Sequence, residues 1–385
     1  SHLGRSTKLH GEICRYINRS VLDARQTGQV LLIAAGSAIE PWALRASELF
    51  SVPRVIVHVI DSERSKPRVR CDDPASCPAH VDVVARGLVS RDAVVVALAD
   101  RVDCVFARPN GNVESSLRIR LGYSQDPTVR VAVHPKTVAK SSQNAARTLM
   151  GCGAVGWYCR PSISSDVTFG GGGQDREARQ ISDPIVRSDW IDTVGEWLIH
   201  CTRECSGPWP GQTERQHRDE LLLGAAAGAT VGKRSAFDSL RRIVQKRRLV
   251  GSALASGRSW PVVCFSENSL AGLLSQRRYR PHLHRWDYEP YGIAIRKSAE
   301  ISERFQPVVY GSGNDRAKLP MAERYRFQAI GKTYDWTQER EWRCAGDVDL
   351  ERFDPKDVRV FVRDQSEADR IGTRFSVSVV GGCVS

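Results

Sequence analysis

The sequence predicts an α/β domain followed by an α+β domain, and three observations support this division. Over the first 150 residues, short continuous apolar runs such as "VLLIAA" (30–35) and "VIVHVI" (55–60) alternate with helical stretches. Continuous apolar runs are typical of parallel strands buried on both faces of a sheet. Residues 156–189 then include four consecutive glycines, and strand-like segments dominate from residue 190 onward. The first domain is therefore expected to be Rossmann-like.

Each element of the first domain, residues 1–155, has its own pattern. Leu9, Ile13, Ile17 and Val21 recur every four residues, which predicts an amphipathic helix across "KLHGEICRYINRSVLDAR". An apolar strand, a turn at Gly36-Ser37 and a second helix near residue 41 follow. Further strands are predicted at "RVIVHVID" (54–61), "AVVVALA" (93–99), "DCVFAR" (103–108) and "TVRVAVH" (128–134).

The second domain, residues 190–385, reads as strands with helices inserted between them. Strands are predicted at "WLIHCT", "PVVCFSE", "YGIAIRK", "PVVYG", "REWRC", "VRVFVR" and "RFSVSVV". Helices are predicted at "ERQHRDELLLGAA", "SAFDSLRRIVQKRRL", "SLAGLLSQ" and "MAERYRFQAI". The glycine-rich segment 156–189 is expected to be a flexible linker, because no strand precedes its glycines and no phosphate-binding helix start follows them.

Composition argues against a membrane protein, a disulfide scaffold and a metal protein. No run approaches the roughly 18 apolar residues of a membrane helix, so a cytoplasmic protein with no membrane partner is expected. The 11 cysteines are odd in number and scattered. Cys71, Cys77 and His80 in "CDDPASCPAH" have a loose metal-like spacing, but without a CxxC pair or a second half-site no metal is expected. The net charge of +12 suits a polyanionic ligand, from a dinucleotide to nucleic acid.

Four segments of the second domain place polar side chains where apolar strands begin or end. They are "EWLIHCTRE", "CFSEN", "RWDYEPYGIAI" and "EREWR". In the last segment, a spacing of two places both glutamates on one face of a strand. The candidate site residues are His200, Thr202, Arg203, Ser266, Tyr291, Glu339 and Glu341.

In order and spacing, these segments resemble the ADP-ribosyltransferase-like superfamily, and also a group of bacterial proteins of which some are associated with phage defence. The resemblance covers roughly residues 195–365. It implies an α+β ADP-ribosyltransferase-like fold with NAD as substrate, acting as a transferase or an NAD glycohydrolase in a defence or stress system. A protein or a nucleic acid would be the acceptor.

The resemblance also implies a role for each side chain. Glu341 would stabilise the positive charge that develops on the ribose when nicotinamide leaves, and Glu339 would orient or deprotonate the acceptor. His200 would bind the ribose hydroxyls, and Thr202 would be a further cofactor contact. Ser266 would support the nicotinamide ribose or the glutamate, Tyr291 would stack on the nicotinamide, and Arg203 would reach the pyrophosphate. The tyrosine of the family pattern corresponds to either Tyr288 or Tyr291.

Each of these residues also has a purely structural interpretation. Salt bridges with neighbouring arginines account for Glu339 and Glu341 on an edge strand. Ser266 also fits as the cap of the following helix, and His200 as a structural histidine. The alternative function is therefore a non-catalytic regulatory protein that binds a nucleotide or a nucleic acid. A nuclease is disfavoured because no Asp…Glu-x-Lys pattern is present.

Two further stretches outside this set have ligand-binding interpretations. Gly36 and Ser37 form a strand-to-helix turn that suits a nucleotide phosphate, with Asp61 as a ribose contact, although a simple tight turn explains the glycine equally. The run "KRSAFDSLRRIVQKRRL" (233–249) has seven basic residues against one acidic residue, which suits nucleic acid or a solvated helix face.

Overall fold

The chain divides into two structural units, and the division is not a single cut at the glycine-rich segment. Unit 1 comprises Ser1–Gly171 and Gln212–Lys233, and unit 2 comprises Gly172–Gly211 and Arg234–Ser385. Most of the expected linker, residues 160–188, lies outside the residues that this computed structural model describes. The described residues are 7–61, 69–70, 79–85, 90–123, 128–135, 140–159, 189–205, 207–227, 234–253, 260–280, 285–297, 304–331 and 335–381.

Unit 1 is an α/β unit with parallel sheets, as the apolar runs predict. One sheet has the strand order β1-β2-β4-β3 and the other has the order β5-β6-β7, and every pairing is parallel except β3 with β4. Its strands are β1 (Leu31–Ala34), β2 (Arg54–Asp61), β3 (Val69–Arg70), β4 (Ala79–Ala85), β5 (Val102–Cys104), β6 (Val129–Ala132) and β7 (Val155–Trp157). Its helices are α1 (Thr7–Thr27), α2 (Glu40–Leu49), α3 (Arg91–Leu98), α4 (Asn112–Tyr123), α5 (Lys140–Gly151) and α6 (Glu214–Ala226).

Helix α6 belongs to unit 1 although it lies in the second half of the sequence. Its residues Leu221 and Leu222 are fully buried in the same apolar cluster as Ile13 and Ile17 of α1. The Asn18 Nδ2 group also donates a hydrogen bond to the carbonyl oxygen of Leu222, at 2.7 Å. The second domain expected at 190–385 therefore does not include this helix.

The strand predicted at "AVVVALA" is wrong, because these residues form helix α3. Ser90 caps the helix, and its hydroxyl accepts a hydrogen bond from the Ala93 amide at 3.2 Å. Val94 and Val96 are buried against the rest of the unit. The N-terminal cap and this packing outweigh the strand preference of the valines.

Unit 2 is built around a seven-stranded mixed sheet of order β14-β17-β10-β8-β13-β19-β20, in which only β19 and β20 pair in parallel. Its strands are β8 (Trp197–Cys201), β9 (Arg248–Leu249), β10 (Val262–Ser266), β11 (Tyr279–Arg280), β12 (Arg285–Trp286), β13 (Gly292–Arg296), β14 (Phe305–Pro307), β15 (Val309–Gly311), β16 (Phe327–Ala329), β17 (Glu341–Ala345), β18 (Val348–Asp349), β19 (Val358–Val362) and β20 (Ser376–Val379). Its helices are α7 (Ala236–Lys246), α8 (Leu270–Ser275), α9 (Gly313–Lys318) and α10 (Gln365–Ile371).

The helix predicted at "MAERYRFQAI" is only partly present. Residues Met321–Arg326 form a 3-10 turn, and the chain then continues as strand β16. Strand β16 pairs in parallel with β15. In this pairing, N–H and C=O groups that a continuous helix would have bonded internally form hydrogen bonds between the two strands.

The two faces of the large sheet carry different cores, and this decides where site residues lie. On one face, here called the α7 face, the core includes Leu198, Phe265, Ile293 and Ile295 with Phe237, Leu240 and Val244 of α7. On the other, the α8 face, it includes Ile199, Ala294 and Phe361 with Leu270, Leu273 and Leu274 of α8.

Gly292 allows strand β13 to lie close to its neighbours. A Cβ atom at this position would lie 2.0 Å from the carbonyl oxygen of His200 and 2.5 Å from Cζ of Phe361. Any side chain would therefore push β13 away from β8 or β19. The glycine of "YGIAI" is thus explained by packing, which the sequence pattern does not indicate.

Candidate functional site

Glu341 begins strand β17 and forms a two-point ion pair with Arg343. Arg343 Nε donates to Oε1 of Glu341 at 2.9 Å, and Nη2 donates to Oε2 at 3.1 Å. The remaining guanidinium hydrogens bind the carbonyl oxygens of Tyr325 and Phe327 and the side chain of Gln328. Arg343 is 1% exposed. Although burial opposes it, the pairing with Glu341 raises the pKa of Arg343. The carboxylate of Glu341 is therefore held in a fixed orientation.

Glu339 does not lie on the same strand as Glu341, contrary to the prediction. It ends a 3-10 turn, Trp336–Glu339, and Arg340 then adopts a left-handed conformation with φ of 44°. The hydroxyl of Ser266 donates to the carbonyl oxygen of Glu339 at 2.7 Å and accepts a hydrogen bond from the Asn268 amide. Ser266 thus fixes the turn that carries Glu339, rather than capping helix α8, whose cap is Ser269.

The Glu339 carboxyl group is nonetheless within electrostatic reach of Glu341. Burial and, second, the negative charge of Glu341 raise the pKa of Glu339 to about 7, while the charge of Arg203 opposes the rise. A carboxyl group with this pKa exchanges protons near neutral pH, whereas its neighbour is fixed in an ion pair. The two glutamates therefore have different electrostatic environments.

His200 lies on the opposite face of the sheet from Glu341. Ile199 pairs with Ser266, which in turn pairs with Glu341, so these three lie on the α8 face. His200 pairs with Ile293, and its ring lies 5.6 Å from that of Phe265 on the α7 face. His200 and Glu341 therefore do not share a face of the sheet, as contact of both with one ribose would require.

The His200 ring has a structural partner. Its Nδ1 atom lies 2.8 Å from the carbonyl oxygen of Cys264, which can only accept, so Nδ1 carries the proton. Burial lowers the pKa of His200 to about 4, and the ring is neutral at pH 7. The ring thus joins β8 to β10 next to the Ile199–Ser266 pair.

Thr202 and Tyr291 also belong to the α7 face. The Thr202 hydroxyl donates to the carbonyl oxygen of Ala236 at 2.8 Å, and Thr202 is buried. Tyr291 packs 5.8 Å from the ring of Phe237 and donates its hydroxyl to Oε1 of Glu367 at 3.0 Å. Both side chains have partners within the core. The structure does not place Tyr291 beside Ser266 or the glutamates.

Replacing Tyr291 by phenylalanine should lower the free energy of unfolding by about 1.5–3 kcal/mol, because it removes a buried hydrogen bond to a carboxylate. Glu367, which is 6% exposed, would keep only the longer contact of 3.4 Å with Arg363 at the same oxygen. Urea denaturation measures the loss. Tyr279→Phe, at a side chain that is 46% exposed, is the matched control and should change stability by less than about 0.5 kcal/mol. An equal effect of both substitutions would contradict the assignment.

The α8 face also includes Cys264, which sequence reasoning left out of the candidate site. Cys264 pairs with Arg343 across β10 and β17, and burial followed by the charge of Glu341 raises the pKa of its thiol. Its place two residues before Ser266 on one strand is the signal that could have found it. Arg203, at the end of β8, donates from Nε to the carbonyl oxygen of Asp287 at 3.2 Å. This contact ties the end of β8 to the segment that follows β12.

Glu267, which directly follows strand β10, forms ion pairs with two basic side chains. It forms ion pairs with Lys297 and, at 2.9 Å, with Arg340. The Lys297 ammonium also lies 4.4 Å from the ring centre of Trp342. Glu267 therefore anchors the turn before β17.

The turn at Gly36 and Ser37 is present, but its amide already has an anionic partner. Gly36 has φ of 69°, and its N–H donates to Oε2 of Glu40 at 2.5 Å. A phosphate on this amide would have to displace the carboxylate of Glu40. The Ser37 amide donates to the carbonyl oxygen of Ala34. Strand β2 ends at Asp61, whose side chain is outside the described part of the chain.

The described residues contain no cluster of three or more side chains suited to a metal ion. Cys71 and Cys77 lie outside the described residues. His80 is described, and its Nδ1 atom lies 2.8 Å from Nε2 of His58. Among the described helices, none is both long and apolar enough to cross a lipid bilayer.

Most of the basic residues described in 233–249 are engaged within unit 2. Arg247 and Arg248 form ion pairs with Glu351 and Asp347. Arg234 and Arg242 lie over the ring of Trp209, at 4.5 and 5.3 Å. Arg241 and Lys246 are exposed on α7. The basic run is therefore a weaker nucleic-acid site than its composition indicates.

Comparisons of the chain with protein-family models, with curated proteins and with solved structures find no match.

Proposed function

We propose that unit 2 cleaves the bond between nicotinamide and ribose in NAD and passes ADP-ribose to water or to an acceptor. The proposal includes an ADP-ribosyltransferase-like fold for unit 2. The observation that carries it is the pair of neighbouring carboxylates in unlike environments. Glu341 is fixed by Arg343, and the pKa of Glu339 is raised to about 7 by burial and by the charge of Glu341.

The two environments suit two steps of this reaction. As the C1′–N bond breaks, the electron pair leaves with nicotinamide and positive charge develops on the ribose, which the oriented Glu341 stabilises. An oxygen of water or of the acceptor then bonds to C1′ and loses its proton, which Glu339 accepts. Arg203, whose charge acts on Glu339, would hold the pyrophosphate.

The proposed site therefore consists of Arg203, Ser266, Glu339 and Glu341. Ser266 acts by holding the turn of Glu339 through its hydroxyl. His200, Thr202 and Tyr291 stabilise the α7 face and need not contact NAD. This assignment differs from the family-derived one, in which they contact NAD.

Glu341→Gln should reduce nicotinamide release at least about 100-fold, because it removes the charge that stabilises the transition state. Nicotinamide is measured by chromatography during incubation with NAD, with and without cell extract as a source of acceptor. The matched control is Glu351→Gln, which removes an exposed carboxylate paired with Arg247 and should retain the full rate. Equal rates for Glu341→Gln and the unsubstituted protein would refute the proposal, as would absence of both NAD binding and nicotinamide release.

We also propose that unit 1 is a doubly wound, Rossmann-like domain. A doubly wound sheet has the strand order 3-2-1-4-5-6. When the short antiparallel strand β3 is left out and the remaining strands are renumbered along the chain, β4-β2-β1 matches the half 3-2-1 and β5-β6-β7 matches the half 4-5-6. This agreement supports the assignment made from the apolar runs.

A further inference from the structure

The hairpin formed by β11 and β12 is a basic stretch that contacts the proposed site. Its sequence "RRYRPHLHRW" (277–286) contains four arginines, two histidines and two aromatic residues, and no acidic residue. Tyr279 pairs with Trp286, and Arg280 pairs with Arg285. The tip, residues 281–284, lies outside the described part of the chain.

The two aromatic side chains of the hairpin lie together, Tyr279 exposed and Trp286 half-buried. The rings of Tyr279 and Trp286 lie edge to face, with 5.6 Å between their centres. The Arg277 guanidinium lies 4.5 Å from the ring centre of Trp286. Tyr279 is 46% exposed. Proteins that bind single-stranded nucleic acids stack the bases on aromatic rings and contact the phosphates with nearby basic side chains such as arginine.

The hairpin is also linked to the proposed site. Arg280 forms an ion pair with Asp287 at 2.8 Å, and Arg203 donates to the carbonyl oxygen of Asp287. The charges of Asp287 and Arg280 both act on Glu339, whose pKa is governed first by burial. Material bound along the hairpin would therefore lie close to Asp287, which contacts Arg203 of the proposed site.

We propose that the β11–β12 hairpin binds single-stranded nucleic acid, with bases against Tyr279 and Trp286 and phosphates at Arg277 and Arg278. This strand would be the acceptor of ADP-ribose, a role that rests on the proposed function. The binding of nucleic acid does not rest on the proposed function, because it requires only the hairpin. Successive side chains along a strand point to opposite faces, so Arg278 and Tyr279 lie on opposite faces of the hairpin. A nucleic acid that contacts both residues would therefore cross the edge of the hairpin.

Binding is tested by fluorescence anisotropy with a fluorescein-labelled 20-nucleotide RNA and a DNA of the same sequence, without NAD. The intact protein should bind, and its affinity should fall as salt rises from 50 to 200 mM, as phosphate contacts require. Tyr279→Ala should weaken binding about tenfold through lost stacking. Arg278→Ala should make the dependence of log affinity on log salt less steep, reducing the magnitude of its slope by about 0.7. Both side chains are exposed, so folding should be unaffected.

Arg241→Ala on helix α7 is the matched control, since it removes one exposed arginine from the other basic segment of unit 2. It should leave affinity and salt slope unchanged. Absence of binding at 50 mM salt would overturn the proposal, as would equal losses in Arg241→Ala and Arg278→Ala. Full competition by polyglutamate would point instead to an acidic protein partner and would also overturn it. Nicotinamide release without nucleic-acid binding refutes the hairpin proposal and leaves the proposed reaction standing. Hairpin-dependent binding without nicotinamide release refutes the proposed reaction and the acceptor role, and leaves the binding proposal standing.

Discussion

Replacing Arg343 by methionine should lower the free energy of unfolding of unit 2 by about 3–5 kcal/mol, because it leaves a partly buried carboxylate without its cation. Arg343 makes five hydrogen bonds in the described structure, two of them to Glu341. Methionine fills much of the space of the arginine stem but replaces none of these donors. Two backbone carbonyl groups, of Tyr325 and Phe327, would lose a partner at the same time.

Urea denaturation at pH 7 measures the effect, with hydrogen exchange at strand β17 to assign the loss to unit 2. Arg352→Met is the matched control, because Arg352 is an exposed arginine that forms a 3.7 Å ion pair with Asp349. Its loss should be below about 1 kcal/mol, as for surface ion pairs. Comparable losses from both substitutions would show that the buried network contributes little.

A double variant tests whether Arg343 acts mainly through Glu341. If the pair is the dominant interaction, Glu341→Gln and Arg343→Met together should destabilise less than the sum of the two single losses, by about 0.5–3 kcal/mol. Simple additivity would mean that Arg343 acts mainly through the carbonyl groups of the segment Met321–Arg326 and strand β16. This cycle also gives the stability correction that the Glu341→Gln activity measurement requires.

The sequence indicates strands better than it indicates the faces on which polar residues lie. Most core strands of unit 2 follow apolar runs. Strands β8, β10 and β13 lie where these runs predict, and β17 lies at the predicted segment "REWRC". The alternation of side chains along a strand predicts that His200 and Ile199 lie on opposite faces of the sheet. It does not predict that Ile199 pairs with Ser266, because this register is set by tertiary contacts. Without that register, no sequence argument can decide whether His200 and Glu341 share a face.

The Glu339–Glu341 spacing shows how a single backbone conformation overturns a pattern. The expected shared strand face requires extended backbone from 339 to 341, but Arg340 has φ of 44°. An arginine in this conformation is uncommon, and its sequence carries no glycine or asparagine signal for the turn. Similarly, α6 joins unit 1 through contacts with α1, which local periodicity cannot show.

Glu339→Gln should stabilise unit 2 at pH 8 by an amount on the order of 3 kcal/mol, although it removes a proposed catalytic residue. Burial and the charge of Glu341 raise the pKa of Glu339 to about 7, so its ionised form is disfavoured in the folded state. The native state therefore binds more protons than the unfolded state between about pH 4.5 and pH 7. Glu339 contributes stability that is fully present below that window and is lost as the pH rises through 7.

His200 has the opposite dependence on pH. Burial lowers its pKa to about 4, so its contribution is present above the unfolded value near 6.5 and is lost as the pH falls through 4. In the unsubstituted protein, the two slopes should largely cancel between about pH 4.5 and 6.5. In Glu339→Gln the His200 contribution is no longer offset by that of Glu339, so the stability of this variant relative to the unsubstituted protein should rise with pH across this range.

Urea denaturation of both proteins at pH 4, 5, 6, 7 and 8 separates the two contributions. The difference between Glu339→Gln and the unsubstituted protein should be near zero at pH 4, grow through the window and level off above pH 7. Asp369→Asn, which removes a carboxylate from helix α10, is the control and should show no such growth. A constant difference at all pH values would mean that Glu339 ionises freely in the folded state. It would then lack the property that suits it to accept a proton from the acceptor, so a stability measurement made without NAD bears directly on the proposed mechanism.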